Sequence, residues 1–245
     1  MARYFIEVSY KGTVYAGFQV QQNANSIQAE VEKALEIFFR EKIGLTGSSR
    51  TDAGVHALQN YFHFDSAANI TDASYHLNAI LPEDIVVKRI FVVADEMHCR
   101  FDAVSREYRY HIYHKKDPFI RDTAYHFPFT LDIAKMQQAA KALFDHIDFT
   151  SFSKRNTQVK TFDCTIIESE WLQENNRLIY RVKANRFLRG MVKGLVGTML
   201  QVGRGKISIE QFNEIILAKD ITRADFSVPS HGLFLMKVEF APTGI

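Results

Sequence analysis

The 245 residues are 47% hydrophobic and 24% charged, the composition of an ordinary water-soluble globular protein of one large domain or two of usual size. No apolar run approaches the roughly 20 residues of a membrane-spanning helix. The opening MARYFIEVSY lacks the basic and apolar regions of a secretory leader and reads as a strand. The two cysteines, Cys99 and Cys164, have neither metal-ligand nor CxxC spacing, which fits a reduced, cytoplasmic chain. The net charge of +2 hides an asymmetry. Residues 1–103 carry 9 basic and 13 acidic side chains, a net −4, and residues 104–245 carry 21 and 15, a net +6. Within the second part, residues 154–206 carry 11 basic and 4 acidic side chains, a net +7. Such a stretch is either a solvated basic face or a track for a phosphate backbone.

Taken in chain order, RYFIEVSY (3–10) alternates and is rich in aromatic and β-branched residues, so it predicts a strand. Ser26 can cap a helix over IQAEVEKALEIFFR, whose Ile27, Val31, Leu35 and Phe38 recur at helical spacing; Ala29 stands where a capping box would have Glu. A short strand near 43–49, a second at 56–64, a helix starting at Thr71 or Asp72 and ending before Pro82, and a strand at 85–93 complete a β-α-β-β-α-β series. The second half repeats it: a strand at 105–113, a helix at 131–144, strands at 163–172 and 178–185 around a polar turn, a helix at 187–201 and a last strand at 232–240. An extra helix at 208–218 precedes that strand. The expectation is an α+β protein of two tandem ferredoxin-like (βαββαβ) halves, 1–103 and 104–245, with antiparallel sheets flanking a central cleft.

Three segments can carry chemistry. In GSSRTDAGVHA (47–57), Asp52 lies in a loop between strands. A lone D-x-G is most simply a turn, with Gly54 at positive φ. A nucleophilic or basic carboxylate would instead need a partly dry site and a nearby cation. Arg50 is two residues away on an extended segment, so it is as available to a phosphate or substrate as to Asp52. In REYRY (106–110), Arg106, Tyr108 and Tyr110 share one face of a strand, the parts either of a half-buried sheet or of a base-stacking platform. In KANRFLRGMVK (183–193), Arg186, Arg189 and Lys193 are spaced three and four apart and are expected on one helix face. Leu188, Met191, Val192 and Leu195 are expected to form the core stripe. Gly190, Gly194 and Gly197 each cost a helix about 1 kcal/mol relative to Ala, which predicts a close neighbour, most simply sheet backbone. His56, His63, and His98 with Cys99, lack zinc spacing, and no GxGxxG, P-loop or GxSxG motif points to a nucleotide or redox cofactor.

RTDAGVHA, REYRYHIY, ANRFLRGMVKGLVGTMLQVG and the closing GLFL together resemble the A-type (TruA) family of tRNA pseudouridine synthases, with SYKGTVYAGFQ and DFTSF (148–152) in support. The likeness runs over nearly the whole chain. It implies isomerisation of uridine to pseudouridine at positions 38, 39 and 40 of the tRNA anticodon stem-loop, by a homodimer that uses no cofactor and no catalytic metal. It makes Asp52 the nucleophile and Tyr108 the residue that packs on the target base. It makes Lys193 the basic partner of the carboxylate, where the family's usual residue is Arg; a lysine gives up the bidentate fork. Ser48-Ser49 stands where the family usually has Ala-Gly. Arg50, Arg186 and Arg189 are then expected to hold RNA. Two rival readings are an RNA-binding module without catalysis and a carboxylate glycosidase. The glycosidase needs a second acid beside Asp52 that the three motifs do not offer.

Overall fold

The computed structural model describes residues 1–68, 70, 72–155 and 159–241. It is mixed α+β. The strand pairing is mostly antiparallel, and five α-helices are present among the described residues. The chain divides into two compact units, residues 105–233 and the remainder on either side of them.

The first unit contains β1 (Ala2–Tyr10), α1 (Ile27–Phe39), β2 (Thr46–Gly47), β3 (His56–Ser66), α2 (Ala73–Ile80) and β4 (Ile85–Val93). β1 lies between β3 and β4, antiparallel to both, with Ile6 opposite Phe62 on one side and Ile90 on the other. Ser26 caps α1 by accepting from the Ala29 N–H, and Ile27, Val31, Ala34 and Leu35 bury its apolar stripe. Phe39 at the end of α1 meets Phe64 of β3. Only Thr46 and Gly47 of the strand expected over 43–49 pair with β3. The cause is α1: Leu45 donates its N–H to Glu32 and its carbonyl accepts from Gln28, so its backbone is committed to helix side chains rather than to a ladder. α2 begins after Asp72, which sits at φ +58 and makes no side-chain cap; Thr71 lies outside the described residues.

The second unit contains β5 (Ala103–Tyr113), β6 (Tyr125–His126), α3 (Ile133–Ala142), β7 (Ile166–Glu174), β8 (Arg177–Ala184), α4 (Met191–Gly203) and α5 (Ile209–Leu217). β8 is central, pairing antiparallel with β5 and β7, and aligns Tyr180 with Tyr110 and with Trp171. The β7–β8 hairpin turns through Asn175 and Asn176, both at positive φ, the conformation that suits a two-residue hairpin loop and that Asn tolerates. The β5 strand, the hairpin and the extra helix fall where the sequence places them. Asp132 caps α3 by accepting from the Lys135 N–H, and Ser208 and Gln211 form a reciprocal capping box on α5. The last strand, β9 (Leu233–Phe240), belongs to the first unit from Phe234 onward and pairs there in parallel with the start of β3, Phe234 against His56 and Leu235 against Ala57.

α4 departs from expectation. It starts at Met191, because Gly190 is a left-handed cap at φ +76. Arg186 and Arg189 therefore precede the helix and do not share a helix face with Lys193. Gly194 and Gly197 do lie inside it, but their close neighbours are not sheet backbone. A methyl at Gly194 would lie 2.8 Å from the Phe226 ring, and one at Gly197 would lie 2.1 Å from the Asp225 carbonyl oxygen. A loop is seated on the helix through these two glycines. Asp225 is tied there by its N–H to Thr198 Oγ1 and by its carboxylate to Gln201. Gly197→Ala is expected to destabilise the protein by roughly 1–3 kcal/mol, the usual cost of overpacking, read as a lowered urea midpoint. An unchanged midpoint would mean that the loop yields freely.

Candidate active site

The loop bearing Asp52 is strapped down from both sides within the first unit. On one side stands Asn60 of β3, which has no exposure. Its side-chain carbonyl accepts from the N–H of Ser49 (3.3 Å) and of Tyr61 (2.9 Å). Its amide donates to the Ser49 carbonyl (2.8 Å) and to the Tyr10 hydroxyl (3.1 Å). Tyr10 in turn shares a 2.8 Å hydrogen bond with Thr51 Oγ1, and the Ser48 N–H bonds the Tyr61 carbonyl. Residues 48–51 are thus fixed to β1 and β3 immediately before the aspartate. The hydroxyls of Ser48 and Ser49 are buried without a hydrogen-bond partner among the described residues.

On the other side runs the segment after β1. The Phe18 N–H donates to the Thr51 carbonyl, the Gly54 N–H to the Tyr15 carbonyl, and Asp52 bridges to Gly17. Gly17 sits at φ +127, where a side chain would be strained and would lie 3.1 Å from the Thr51 carbonyl. The turn after Asp52 closes through its own main-chain carbonyl, which accepts from Val55, with Gly54 at φ +75. So the turn that a D-x-G motif predicts is present, and main-chain atoms close it. His56 accepts from the Gly12 N–H (3.0 Å) and packs against Phe234. Tyr15 donates to Asp84 (2.6 Å), and burial followed by that carboxylate raises its phenol well above the ordinary value. The result is a half-buried Asp52 on a loop with little freedom.

Arg50, two residues earlier, is exposed and makes no ion pair with the described residues. It lines a cavity of about 300 Å³ whose walls also include Phe18, His98, Arg100 and Phe101.

The remaining candidates belong to the second unit. Tyr108 on β5 is half-buried, and its ring meets Phe187 edge-on at 5.0 Å. Tyr110 on the same face is fully buried and donates to the Pro229 carbonyl (2.7 Å), so it is a core residue. Glu107 and Arg109 pair with each other at 3.0 Å. Arg106 donates to the Asn185 carbonyl at the start of the loop that carries Arg186, Phe187 and Arg189. Arg186 is half-buried and reaches Thr161, and Arg189 is exposed, its carbonyl bonded by the Lys154 N–H. This unit therefore brings Tyr108 beside the 185–190 loop and lays that loop against Lys154. Lys193, one turn into α4, is half-buried and donates to Ser230 (3.3 Å). Nearby His231 is held below the ordinary imidazole value, first by burial and also by the Lys193 charge.

Sequence reasoning passed over Asn60, Tyr10, Phe187 and Ser230. Only Ser230 had a signal, since it stands just before the GLFL segment. The other three are ordinary strand or loop residues until the register is known. No group of three or more potential ligands that could hold a metal ion occurs among the described residues. His63 approaches Cys99, at 3.2 Å, and burial, with help from His98, pushes its imidazole down to about 4.

The chain matches the protein family described as tRNA pseudouridine synthase over residues 6–102 and 139–241. Proteins named tRNA pseudouridine synthase A resemble it along nearly their whole length. That of Parabacteroides distasonis is 46% identical over 243 residues, covering 98% of this chain and 96% of its own. That of Porphyromonas gingivalis is 43% identical, covering 98% of each. That of Bacillus licheniformis is 42% identical, covering 94% of this chain and 96% of its own.

Removal of the Asn60 amide should loosen the aspartate loop. Asn60→Ala would leave buried partners unpaired, at a cost of roughly 1–3 kcal/mol. Urea unfolding should show this loss, and limited proteolysis should open the 48–56 segment. A variant as stable and as protected as wild type would show that the loop does not depend on Asn60.

Proposed function

Because the chain belongs to the tRNA pseudouridine synthase family, we propose that it isomerises uridine in the anticodon stem-loop of tRNA, at positions 38, 39 and 40, with Asp52 as nucleophile. The observation that carries this reading is the double clamp on residues 48–55, which fixes a half-buried carboxylate on a loop built to be rigid. Turns of ordinary surface loops need no such support. Preorganisation of this kind spares the cost of ordering the nucleophile when substrate arrives.

The reaction breaks the N1–C1′ bond and joins C5 to C1′. The C5 proton is lost and N1 acquires one, so the composition of the nucleotide does not change and no co-substrate is required. The target base must leave the stack, at a cost of a few kcal/mol. Asp52 forms the covalent bond that holds the intermediate while the base turns; attack at C6 of the uracil and at C1′ of the ribose both meet this balance. Tyr108, a half-buried aromatic braced by Phe187, is assigned to pack on the turned base. Lys193 is assigned as the cation that keeps the site electrostatically suited to a carboxylate, a point charge in place of the family's usual guanidinium. Arg50 is assigned to a phosphate or to the gap left by the departed base, and Arg186 and Arg189 to the RNA backbone; both lie in the basic 154–206 stretch, where Lys154 bonds the Arg189 carbonyl.

Other parts of the reading have partial support. The order β4-β1-β3, with β2 on the far side of β3, agrees with a ferredoxin-like first half. We extend the reading to action as a homodimer and to a cytoplasmic location, in keeping with the family and with tRNA as substrate.

The test uses tRNA carrying tritium at C5 of uridine. Wild type should release tritium to water, and Asp52→Ala should be slower by on the order of 10³-fold or more, as for loss of a nucleophile. Lys193→Arg should retain activity better than Lys193→Ala. Arg186→Ala and Arg189→Ala should weaken binding more than turnover of bound tRNA. Tritium release by Asp52→Ala at the wild-type rate would remove the assignment, and free uracil among the products would favour a glycosidase.

A further inference from the structure

We propose that the cavity lined by Arg50, Arg100 and Phe101 in the first unit is a nucleotide subsite, which takes one unstacked nucleotide of the substrate RNA other than the uridine being isomerised. The inference rests on RNA being the ligand, as argued above. It goes beyond that reading by assigning a second base-holding site to the cavity that Arg50 shares with the 98–101 segment.

The cavity, of about 300 Å³, has a rigid apolar floor. Phe18 is stacked on Phe62 at 4.5 Å with the rings nearly parallel, and Gly47 is a glycine where any Cβ would lie 2.3 Å from the Phe18 ring. The wall is built from the 98–102 turn, which its own side chains hold in shape. His98 Nδ1 accepts from the N–H groups of Arg100 (3.1 Å) and Phe101 (3.3 Å), and Asp102 accepts from the His98 N–H (2.7 Å). The turn presents Phe101 with 72% of its surface exposed, the ring backed by His98 at 4.2 Å. A ring so exposed leaves apolar surface that a ligand can cover.

The charge around the ring says what that cover is. Arg50 and Arg100 are both exposed, and no Asp or Glu is among the residues lining the cavity. Beside Thr46, the lining carries the amides of Gln19 and Gln28, and Gln28 is already committed to Glu32, Leu45 and Val20. The Arg100 guanidinium lies over the Phe101 ring, 5.6 Å from its centroid, and cations with an aromatic ring form the combination that binds single-stranded nucleic acid: the ring takes a base face and the guanidinium groups take the flanking phosphates. With only one uncommitted amide at the mouth, stacking dominates and the subsite discriminates weakly among bases. Sequence gave no sign of this, because Arg50 and the HCRFD segment (98–102) are separated by almost 50 positions.

The test measures the affinity of a fluorescently labelled anticodon stem-loop RNA across a salt series. Phe101→Ala should weaken binding roughly 5- to 100-fold with an unchanged salt slope. Phe101→Trp should stay within about twofold of wild type, and Phe101→Leu should resemble Ala, because an apolar side chain without a ring cannot stack. Arg100→Gln should weaken binding and reduce the salt slope by about one. Phe101 is exposed, so folding should survive these changes, as circular dichroism would verify. Wild-type affinity in Phe101→Ala, or in Phe101→Leu, would overturn the subsite. The two readings separate cleanly. Wild type that binds the RNA without releasing tritium removes the synthase assignment and leaves the subsite to these affinities. Active wild type with undiminished binding by Phe101→Ala removes the subsite alone.

Discussion

The aspartate loop depends on one buried amide. Asn60 lies in the middle of β3, and its side chain spends every hydrogen-bonding group on a neighbour: two main-chain donors, one main-chain acceptor and the Tyr10 hydroxyl. Through Tyr10 the same network reaches Thr51, the residue before the aspartate. In a dry interior such bonds are strong, and breaking one partner exposes the full cost of the others. The loop is therefore tied to β1 and β3. Gly17 and Gly54 make the other half of the clamp possible, because they supply backbone conformations that a side chain would strain. Small residues around two opposite charges in RTDAG are what a tightly strapped loop requires.

Much of the architecture is legible in the sequence where a single physical signal dominates. IVVKRIFVV (85–93) coincides with β4, and SIQAEVEKALEIFF gives both α1 and its cap, because alternation and helical spacing report burial directly. The reading falters where side chains compete for backbone. Residues 43–45 have strand composition, yet Glu32 and Gln28 capture Leu45, a long-range event that no local pattern encodes. At 186–190 the spacing of basic residues suits a helix, but Gly190 in the left-handed conformation ends the preceding loop and starts α4 only afterwards. The glycines inside α4 signalled a close neighbour correctly, while its identity, a loop carbonyl and two phenylalanine rings, could come only from tertiary structure. The candidate site divides the same way. Asp52, Tyr108 and Lys193 stand out in motifs, whereas Asn60, Tyr10 and Phe187 become meaningful only once strand register brings them to their partners.

The chemistry asked of this chain is modest in parts and demanding in arrangement. No redox step or group transfer to a second molecule is involved, only the detachment, rotation and reattachment of a base. A protein serves that reaction by holding a carboxylate still, offering aromatic faces to bases that have left their stack, and tracking phosphates with exposed cations. In the proposed assignment the first unit supplies the carboxylate on the Asp52 loop, and the second unit supplies the tyrosine braced by Phe187 and the basic 154–206 stretch.

The most direct measurement is a pseudouridine map of tRNA from cells that lack this protein, repeated after complementation with wild type and with Asp52→Asn, which keeps the size of the side chain and removes its charge. Anticodon stem-loop pseudouridines should disappear, return with wild type and stay absent with Asp52→Asn. Their return with Asp52→Asn, or their persistence in cells without the protein, would contradict the synthase assignment.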